Sequence, residues 1–394
     1  MENSTRKISI CHVITRMIVG GAQENTLFSC LGQLRAGHRV VLVTGPSPGP
    51  EGELLDRISA PELEVVVIPD LVRNISPMKD LRACKALTRY FKKEKFDVVH
   101  THSSKAGLLG RIAAHKAKVP CIVHTVHGQA FHAYEKAWKN FIYKSSERYA
   151  ARYSDRIYAV AQAMIDQCVE AKIAPKGKYK VVYSGMDIEA FLNSKADPDL
   201  RKKLAIPENA VVIGTLARLF ELKGYDDVLK GFPLVLKQIP DAHLLIIGDG
   251  ILRASLEVEA QGGGFADRVH FAGLISPDKV PDYLAQIDVL WHLSLREGLP
   301  RSVVQALACG KPACGYALDG TPEVIFDNVT GCCVPARELD KIAARTVELL
   351  QNPALAQKQG AAGRELVRER FDKERMAQIL LEEYLDILRG KSLL

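Results

Sequence analysis

The chain lacks any long apolar run. Across 394 residues no stretch approaches the roughly 18–20 consecutive apolar residues that a helix needs to cross a bilayer. The first residues, Met1-Glu2-Asn3-Ser4-Thr5-Arg6-Lys7, lead into a strand-like run without the apolar core of a secretory leader. A cytoplasmic location is therefore expected. Cysteine is scarce and unpatterned: there are nine, an odd number, and none in a Cys-x-x-Cys spacing. Cys11, Cys121 and Cys309 sit in apolar segments, and Cys332-Cys333 are merely adjacent. Reduced, buried thiols are expected, not a disulfide framework or a zinc site. The chain has no internal repeat, no low-complexity segment, no G-x-G-x-x-G turn and no nucleic-acid-binding motif. These absences weigh against a dinucleotide-dependent dehydrogenase and a DNA- or RNA-binding protein.

What is present is an ordinary globular composition, 47% hydrophobic and 25% charged, long enough for two domains of about 100–200 residues. Charge is unevenly shared. Residues 1–190 carry 28 Lys and Arg against 18 Asp and Glu, net +10, and residues 191–394 carry 25 against 28, net −3. A basic first half suits an anionic partner. Strand-like runs at 8–14, 39–43, 64–68, 97–101, 121–125, 157–160 and 180–183 alternate with helical patterns at 21–36, 79–94, 104–116 and 134–154. A polar, turn-rich stretch near 185–212 interrupts the alternation, which then resumes with strands at 211–216, 243–247, 269–271, 287–290 and 312–316. Helices are expected at 224–238, 251–261, 277–286, 300–309, 322–326 and 337–352, with a last one at 373–388. Alternation at this spacing predicts α/β architecture: two doubly wound parallel sheets, each covered on both faces. We expect domains at 1–190 and 191–372, with 373–394 beyond the second.

The segment Arg296-Glu297-Gly298-Leu299-Pro300-Arg301-Ser302-Val303-Val304-Gln305 carries the most specific chemistry. A strand, a Gly/Pro loop and a helix start make a phosphate seat, because the first amides of a helix lack intrahelical partners and carry the positive dipole end. A carboxylate at that seat repels phosphate and suits hydroxyls, which points to a nucleotide-sugar. The segment resembles the signature of family-4 retaining glycosyltransferases, which have the GT-B fold of two Rossmann-like domains facing a central cleft. That signature is a Glu, seven residues, then a second Glu. Here Glu297 is the first, and Gln305 stands in place of the second.

The resemblance spans nearly the whole chain and assigns further residues. In the family the first Glu contacts the donor sugar and the second the ribose, a task an uncharged Gln305 can share as donor and acceptor. Gly298 and Leu299, between Glu297 and the helix, go to donor binding. Arg218 and Lys223, the latter before Gly224, match the pair that grips the donor diphosphate; by themselves they read equally as surface charge beside a helix start. His127, in a Gly-bounded loop after a strand, matches a histidine near the donor sugar, and His124 is expected to be structural. Gly20 and Gly21 match the first glycine loop. Gly320, ahead of Thr321-Pro322-Glu323, matches the edge of the donor pocket, although Thr321 as a cap and Pro322 in the first turn also explain the segment as a helix start. Asp249, between two glycines, reads best as a turn or cap. His100 and His102 share a strand face, but the sequence shows no third metal ligand beside them. The segment 103–107 is a candidate acceptor contact.

Two basic helical segments interleave with aromatics: Lys79 to Lys95, and Lys136 to Arg156 with Phe131, Tyr134, Trp138, Phe141 and Tyr143. Each suits an anionic membrane surface and equally a solvated helix with its apolar face in the core. The resemblance implies a retaining, metal-independent hexosyltransferase without cofactor. Its expected donor is a nucleotide-diphosphate sugar, preferably a UDP-hexose or UDP-N-acetylhexosamine. Its expected acceptor is a glycan or undecaprenyl-diphosphate-linked sugar in cell-surface polysaccharide assembly, reached at the inner face of the cytoplasmic membrane. The alternatives are a nucleotide-sugar 2-epimerase of the same fold, or a silent nucleotide-sugar-binding scaffold for which Gln305 speaks. The last helix is expected to pack back on the first domain.

Overall fold

A computed structural model describes residues 6–47, 54–56 and 60–394. The chain divides into two compact units, Met1–Met186 with Asp372–Leu394, and Asp187–Phe371. The division falls a few residues before the expected 190/191 boundary.

In the first unit the strands are β1 (Ser9–Ile14), β2 (Arg39–Thr44), β3 (Glu64–Val67), β4 (Val98–His102), β5 (Cys121–Val126), β6 (Arg156–Ala159) and β7 (Tyr179–Val181). The helices between them are α1 (Gly21–Arg35), α2 (Pro77–Glu94), α3 (Ser104–Lys116), α4 (Ala137–Ala151) and α5 (Gln162–Glu170). The strands pair in parallel in the order β3-β2-β1-β4-β5-β6-β7. Parallel neighbours need a crossover, which the helices provide.

The second unit opens with α6 (Glu189–Leu192) and α7 (Pro198–Lys203). Then follow β8 (Val212–Leu216), α8 (Tyr225–Leu236), β9 (His243–Ile247), α9 (Arg253–Gly262), β10 (Val269–Gly273), α10 (Val280–Ala285), β11 (Val289–His292), α11 (Arg301–Ala308), β12 (Ala313–Tyr316), β13 (Gly331–Val334), α12 (Leu339–Gln351) and α13 (Pro353–Arg370). Its sheet runs β10-β9-β8-β11-β12-β13, again parallel. Counted from its own first strand, the second sheet has the order 3-2-1-4-5-6, and the first has the same order with a seventh strand added at its edge. The winding reverses between β1 and β4 in one and between β8 and β11 in the other, and each reversal opens a crevice at the strand C-termini.

The chain re-enters the first unit with α14 (Lys373–Gly390). Asp372 caps it, accepting from the amides of Glu374 and Arg375 at 2.9 Å. Met376, Leu380, Tyr384 and Leu388 join the core formed by Ile10, Leu27 and Cys30. Full burial of such a side chain stabilises by about 1.5–3 kcal/mol. Several expected helices differ in extent. The one at 134–154 is α4, shorter at both ends; the one expected to open at Pro300 starts at Arg301, with Pro300 as its cap. The one at 322–326 is a single 3₁₀ turn, Thr321–Glu323, preceded by Gly320 at the cap position in place of Thr321. All nine cysteines are unpaired; eight are buried and Cys333 is half-buried.

The two basic helices differ. On α2 the apolar residues Ala83, Leu87 and Phe91 are buried, so its lysines line the solvated face of an ordinary amphipathic helix. On and before α4, Tyr134, Trp138 and Phe141 stand 60%, 61% and 71% exposed. Those three aromatics are not core residues, whereas Phe131 of the same segment is buried.

Candidate functional site

The donor residues expected in the second unit gather at the reversal point of its sheet, on the loops after β8, β11 and β12 and on α11. The β8 loop is pulled into shape by close backbone contacts. Leu222 takes φ +65 and Gly224 φ +76. A Cβ on Gly224 would stand 1.9 Å from the Leu293 carbonyl oxygen, so only glycine fits. The Leu222 carbonyl accepts from the Leu295 amide at 2.9 Å and from Ser294 Oγ at 3.1 Å, which straps the β8 and β11 loops together. The strap delivers Lys223 Nζ to Glu297 Oε1 at 2.5 Å. Both side chains are mostly buried, so this pair is less screened than a surface one.

Glu297 is also held through its backbone. Its amide donates to Asp319 Oδ2 at 2.7 Å, and Asp319 lies at φ +49 in the loop after β12, next to Gly320. His292 Nε2 lies 3.8 Å from Glu297 Oε1. Burial pushes the His292 pKa down, with the Glu297 carboxylate opposing and Lys223 assisting that shift. Asp319, His292 and Ser294 were missed by the sequence reading. An Asp-Gly pair directly after a strand was the available signal for Asp319.

Arg218 is exposed, with its guanidinium 5.2 Å from the centre of the Phe220 ring. Leu299 is buried, so its side chain is not available to a ligand; Gly298 beside it is half-buried. No side chain caps α11. Gln305, in its second turn, is half-buried and has no side-chain hydrogen bond among the described residues. Asp249 is a turn residue: its Oδ1 accepts from the Gly250 amide at 2.7 Å and its Oδ2 from Arg253 at 3.3 Å. Together these loops present a carboxylate, an ammonium, a guanidinium and a helix N-terminus on one edge of one sheet. That set can hold hydroxyls and a diphosphate at once.

In the first unit Gly20 caps α1 and Gly21 opens it, on the loop after β1. His127 lies just past β5. Beneath it the sheet is unusually polar for buried parallel strands: His12, His100, His102 and His124 are all buried. His124 Nδ1 donates to the Thr101 carbonyl at 3.0 Å, and a Cβ on Gly107 of α3 would stand 2.6 Å from its ring; its role is packing. His102 Nδ1 meets His127 Nε2 at 3.0 Å. Burial holds the pKa of His12 down to about 4 and those of His100, His102 and His124 well below the usual imidazole value.

The third histidine missing from the sequence reading of His100 and His102 is His12, on β1. The ligand atoms of these three lie within 4.8 Å of one another. Every one of their ring nitrogens already has a partner: Gln33, Tyr384, Thr125, His127 or one another. A metal would have to displace that network.

Ser103, between β4 and α3, adopts φ +59 and ψ 163, a region that glycine alone enters without cost. Thr15, at the end of β1, accepts from the Ala106 amide at 3.2 Å and so caps α3 from a neighbouring strand. Of the segment 103–107, Lys105 is held by Asp80 at 2.7 Å and Gly107 is packed under His124. Ser103 and Ser104 instead line a cavity of ≈ 20 Å³ with His127 and Gln129, room for about one water molecule.

Residues 20–185 match the family described as glycosyl transferase 4-like domain, and residues 196–366 match glycosyl transferases group 1. Among curated relatives is the UDP-Gal:alpha-D-GlcNAc-diphosphoundecaprenol alpha-1,3-galactosyltransferase of Escherichia coli, 29% identical over 90% of this chain and 91% of the relative. The N-acetyl-alpha-D-glucosaminyl L-malate synthase of Bacillus anthracis is 27% identical over 79% of this chain and 81% of the relative. Among solved structures, Anabaena Alr3699/HepE in complex with UDP superposes with a TM-score of 0.80 at 21% identity, covering 96% of this chain and all of that one. Sucrose-phosphate synthase from Thermosynechococcus elongatus gives 0.82 at 19% identity, over 98% of this chain and all of that one. The likeness of fold runs through both units.

Proposed function

The chain belongs to the family-4 glycosyltransferases of GT-B fold, with a 4-like domain followed by a group 1 domain, and we propose that it moves a hexose or N-acetylhexosamine from a UDP-sugar to a lipid-linked sugar or glycan in cell-surface polysaccharide synthesis. The Lys223–Glu297 pair carries this reading. A carboxylate at a phosphate-binding helix start has a use when the phosphate bears a sugar. The Escherichia coli relative, which uses UDP-Gal and a diphosphoundecaprenol-linked acceptor, and the HepE complexes with UDP and UDP-glucose support the choice of donor and acceptor.

In this reading the transfer retains configuration. The bond from the anomeric carbon to the diphosphate oxygen breaks, the acceptor oxygen forms the new bond on the same face, and the acceptor proton leaves with the nucleoside diphosphate. Arg218, Lys223 and the first amides of α11 take up the charge that develops on the leaving diphosphate. They serve in place of a metal ion, so transfer should persist in EDTA. Glu297 orients the sugar hydroxyls, and Lys223 turns from the carboxylate towards phosphate when the donor arrives. His127 orients the sugar, Gln305 contacts the ribose, Gly20 and Gly21 admit the ligand close to backbone amides, and Gly320 borders the donor site. An acceptor on a lipid carrier fits the exposed Tyr134, Trp138 and Phe141 beside the lysines of α4, which we assign to an anionic membrane surface. Trp138→Ser with Phe141→Ser should abolish co-sedimentation with phosphatidylglycerol vesicles; unchanged co-sedimentation would remove that assignment.

Thermal unfolding against UDP, GDP and ADP tests the donor. Ligand at about 100 times its dissociation constant stabilises by roughly 2.7 kcal/mol. A shift with UDP alone is expected, followed by transfer to a lipid-linked sugar whose product keeps the donor's anomeric configuration by NMR. A shift confined to another base would exclude a UDP-sugar. No shift with any nucleotide would overturn the reading.

A further inference from the structure

His12, His102 and His127 form an unbroken line of hydrogen bonds that starts at the Gln33 carboxamide of α1. His12 Nε2 lies 2.8 Å from Gln33 Oε1, His12 Nδ1 2.9 Å from His102 Nε2, and His102 Nδ1 3.0 Å from His127 Nε2. An amide oxygen carries lone pairs and no proton. His12 must therefore donate from Nε2. A neutral imidazole has one N–H, and burial keeps His12 and His102 neutral. His12 Nδ1 is then an acceptor, so His102 donates from its own Nε2. That leaves His102 Nδ1 as an acceptor, and His127 donates to it from Nε2.

The amide itself is anchored at its other end. Gln33 Nε2 donates to the Tyr384 hydroxyl at 3.4 Å. Facing that N–H, the hydroxyl finds its acceptor in His100 Nδ1 at 2.5 Å, which leaves His100 Nε2 to donate to Thr125 Oγ1 at 2.7 Å. The amide nitrogen faces Tyr384 and the amide oxygen therefore faces His12. Every donor in the series then faces an acceptor.

We infer that Gln33, His12 and His102 are positioning residues that orient the His127 ring and fix a proton on its Nε2. In the role proposed for His127, that N–H is already engaged by His102 and is not offered to the sugar. The consequence for the sugar rests on the role proposed for His127, whereas the relay rests on the geometry of the buried sheet alone.

The test is a long-range ¹H–¹⁵N correlation spectrum of the imidazoles in the full chain, assigned with single His→Asn variants at neutral pH. His12, His100, His102 and His127 are expected to show the Nε2–H pattern, and His124 the opposite Nδ1–H pattern set by its bond to Thr101. An Nδ1–H or averaged pattern at His127 overturns the relay. Gln33→Met removes the acceptor oxygen and should convert the His127 pattern to an average of both tautomers; an unchanged pure pattern in a folded Gln33→Met protein also overturns it. The wild-type spectrum decides on its own if that variant fails to fold. Transfer by His127→Ala separates the two readings: retained full activity refutes the role of His127 in transfer, while the spectrum still judges the relay.

Discussion

The two sheets share one order over their first six strands and have two different interiors. In the second unit β8, β9, β11 and β12 are lined by residues such as Ile213, Leu244, Ile246, Val289 and Trp291, all in its hydrophobic core; the one indole N–H there is satisfied by Thr346 at 2.7 Å. Of its polar residues, His243 stands first in β9 and His292 last in β11, and the rest of its candidate chemistry stands in the loops and on α11. In the first unit His12, His100 and His102 run through the sheet itself, under the loop that carries His127. An apolar sheet is a platform that fixes where loop residues stand. A polar sheet can also fix which atom of a loop residue bears a proton.

The sharpest way to expose this contrast is to remove one group from each side. Glu297→Ala acts on a loop above an apolar platform. It should lower kcat/KM by about 10²–10³-fold and change unfolding stability by only about 1 kcal/mol, measured as transfer rate beside a thermal melt. Near-wild-type transfer would remove Glu297 from the site.

Acid should act in the opposite sense, on stability through the first sheet. An imidazole held at about 4 when folded, against 6.5 when free, leaves the unfolded chain binding more protons below about pH 6.5. Stability from such a group is complete above that pH and is lost as pH falls towards 4. His12 alone accounts for about 3 kcal/mol over this window, with His100, His102 and His124 shifted in the same direction. Urea unfolding at stepped pH should show the decline, and His12→Asn should flatten it. A stability curve that is level from pH 7 to 4.5 would contradict the buried, neutral seam.

Two smaller effects refine the comparison. Gln305→Glu should tighten UDP by about five-fold, because an ionised acceptor binds hydroxyls more strongly than an amide; calorimetry that shows weaker binding would mean that the amide N–H is in use. Ser103→Gly should raise stability by about 1 kcal/mol by relieving its φ +59 backbone, visible as a higher melting temperature. A lower one would mean that the Ser103 Oγ contact with Thr15 at 3.3 Å outweighs the strain.

The Gly/Pro punctuation of 296–300 and the resemblance made Glu297 and Lys223 legible, because the chemistry of a helix start is local. The relay was not. His12 sits in the apolar-looking Ser-Ile-Cys-His-Val-Ile, and its partner His102 is 90 residues away. Only the sheet order brings them side by side. Tyr384 comes from a helix 284 residues beyond His100. The reading also passed over α13 entirely. Gly360 and Gly363 weaken its helical signal, each by about 1 kcal/mol of intrinsic preference. Both are contact points: a Cβ on Gly360 would stand 2.0 Å from the Gly310 carbonyl oxygen, and one on Gly363 2.7 Å from Leu307. Packing against the end of α11 sets these residues, and no periodicity reports it. The strand β13 was missed for a related reason, since Gly331-Cys332-Cys333-Val334 at a sheet edge is too short to show alternation.

The return of the chain to its first unit through α14 imposes a schedule on biosynthesis. Tyr384, which completes the partners of His100 and Gln33, is translated almost two hundred residues after Met186, the last residue of the first pass. At about 5–20 residues per second on the ribosome, the nascent first sheet waits on the order of ten to forty seconds with its polar seam uncovered. The second unit is continuous in sequence and has no such wait. The half of the protein that is made first is therefore the half that is finished last.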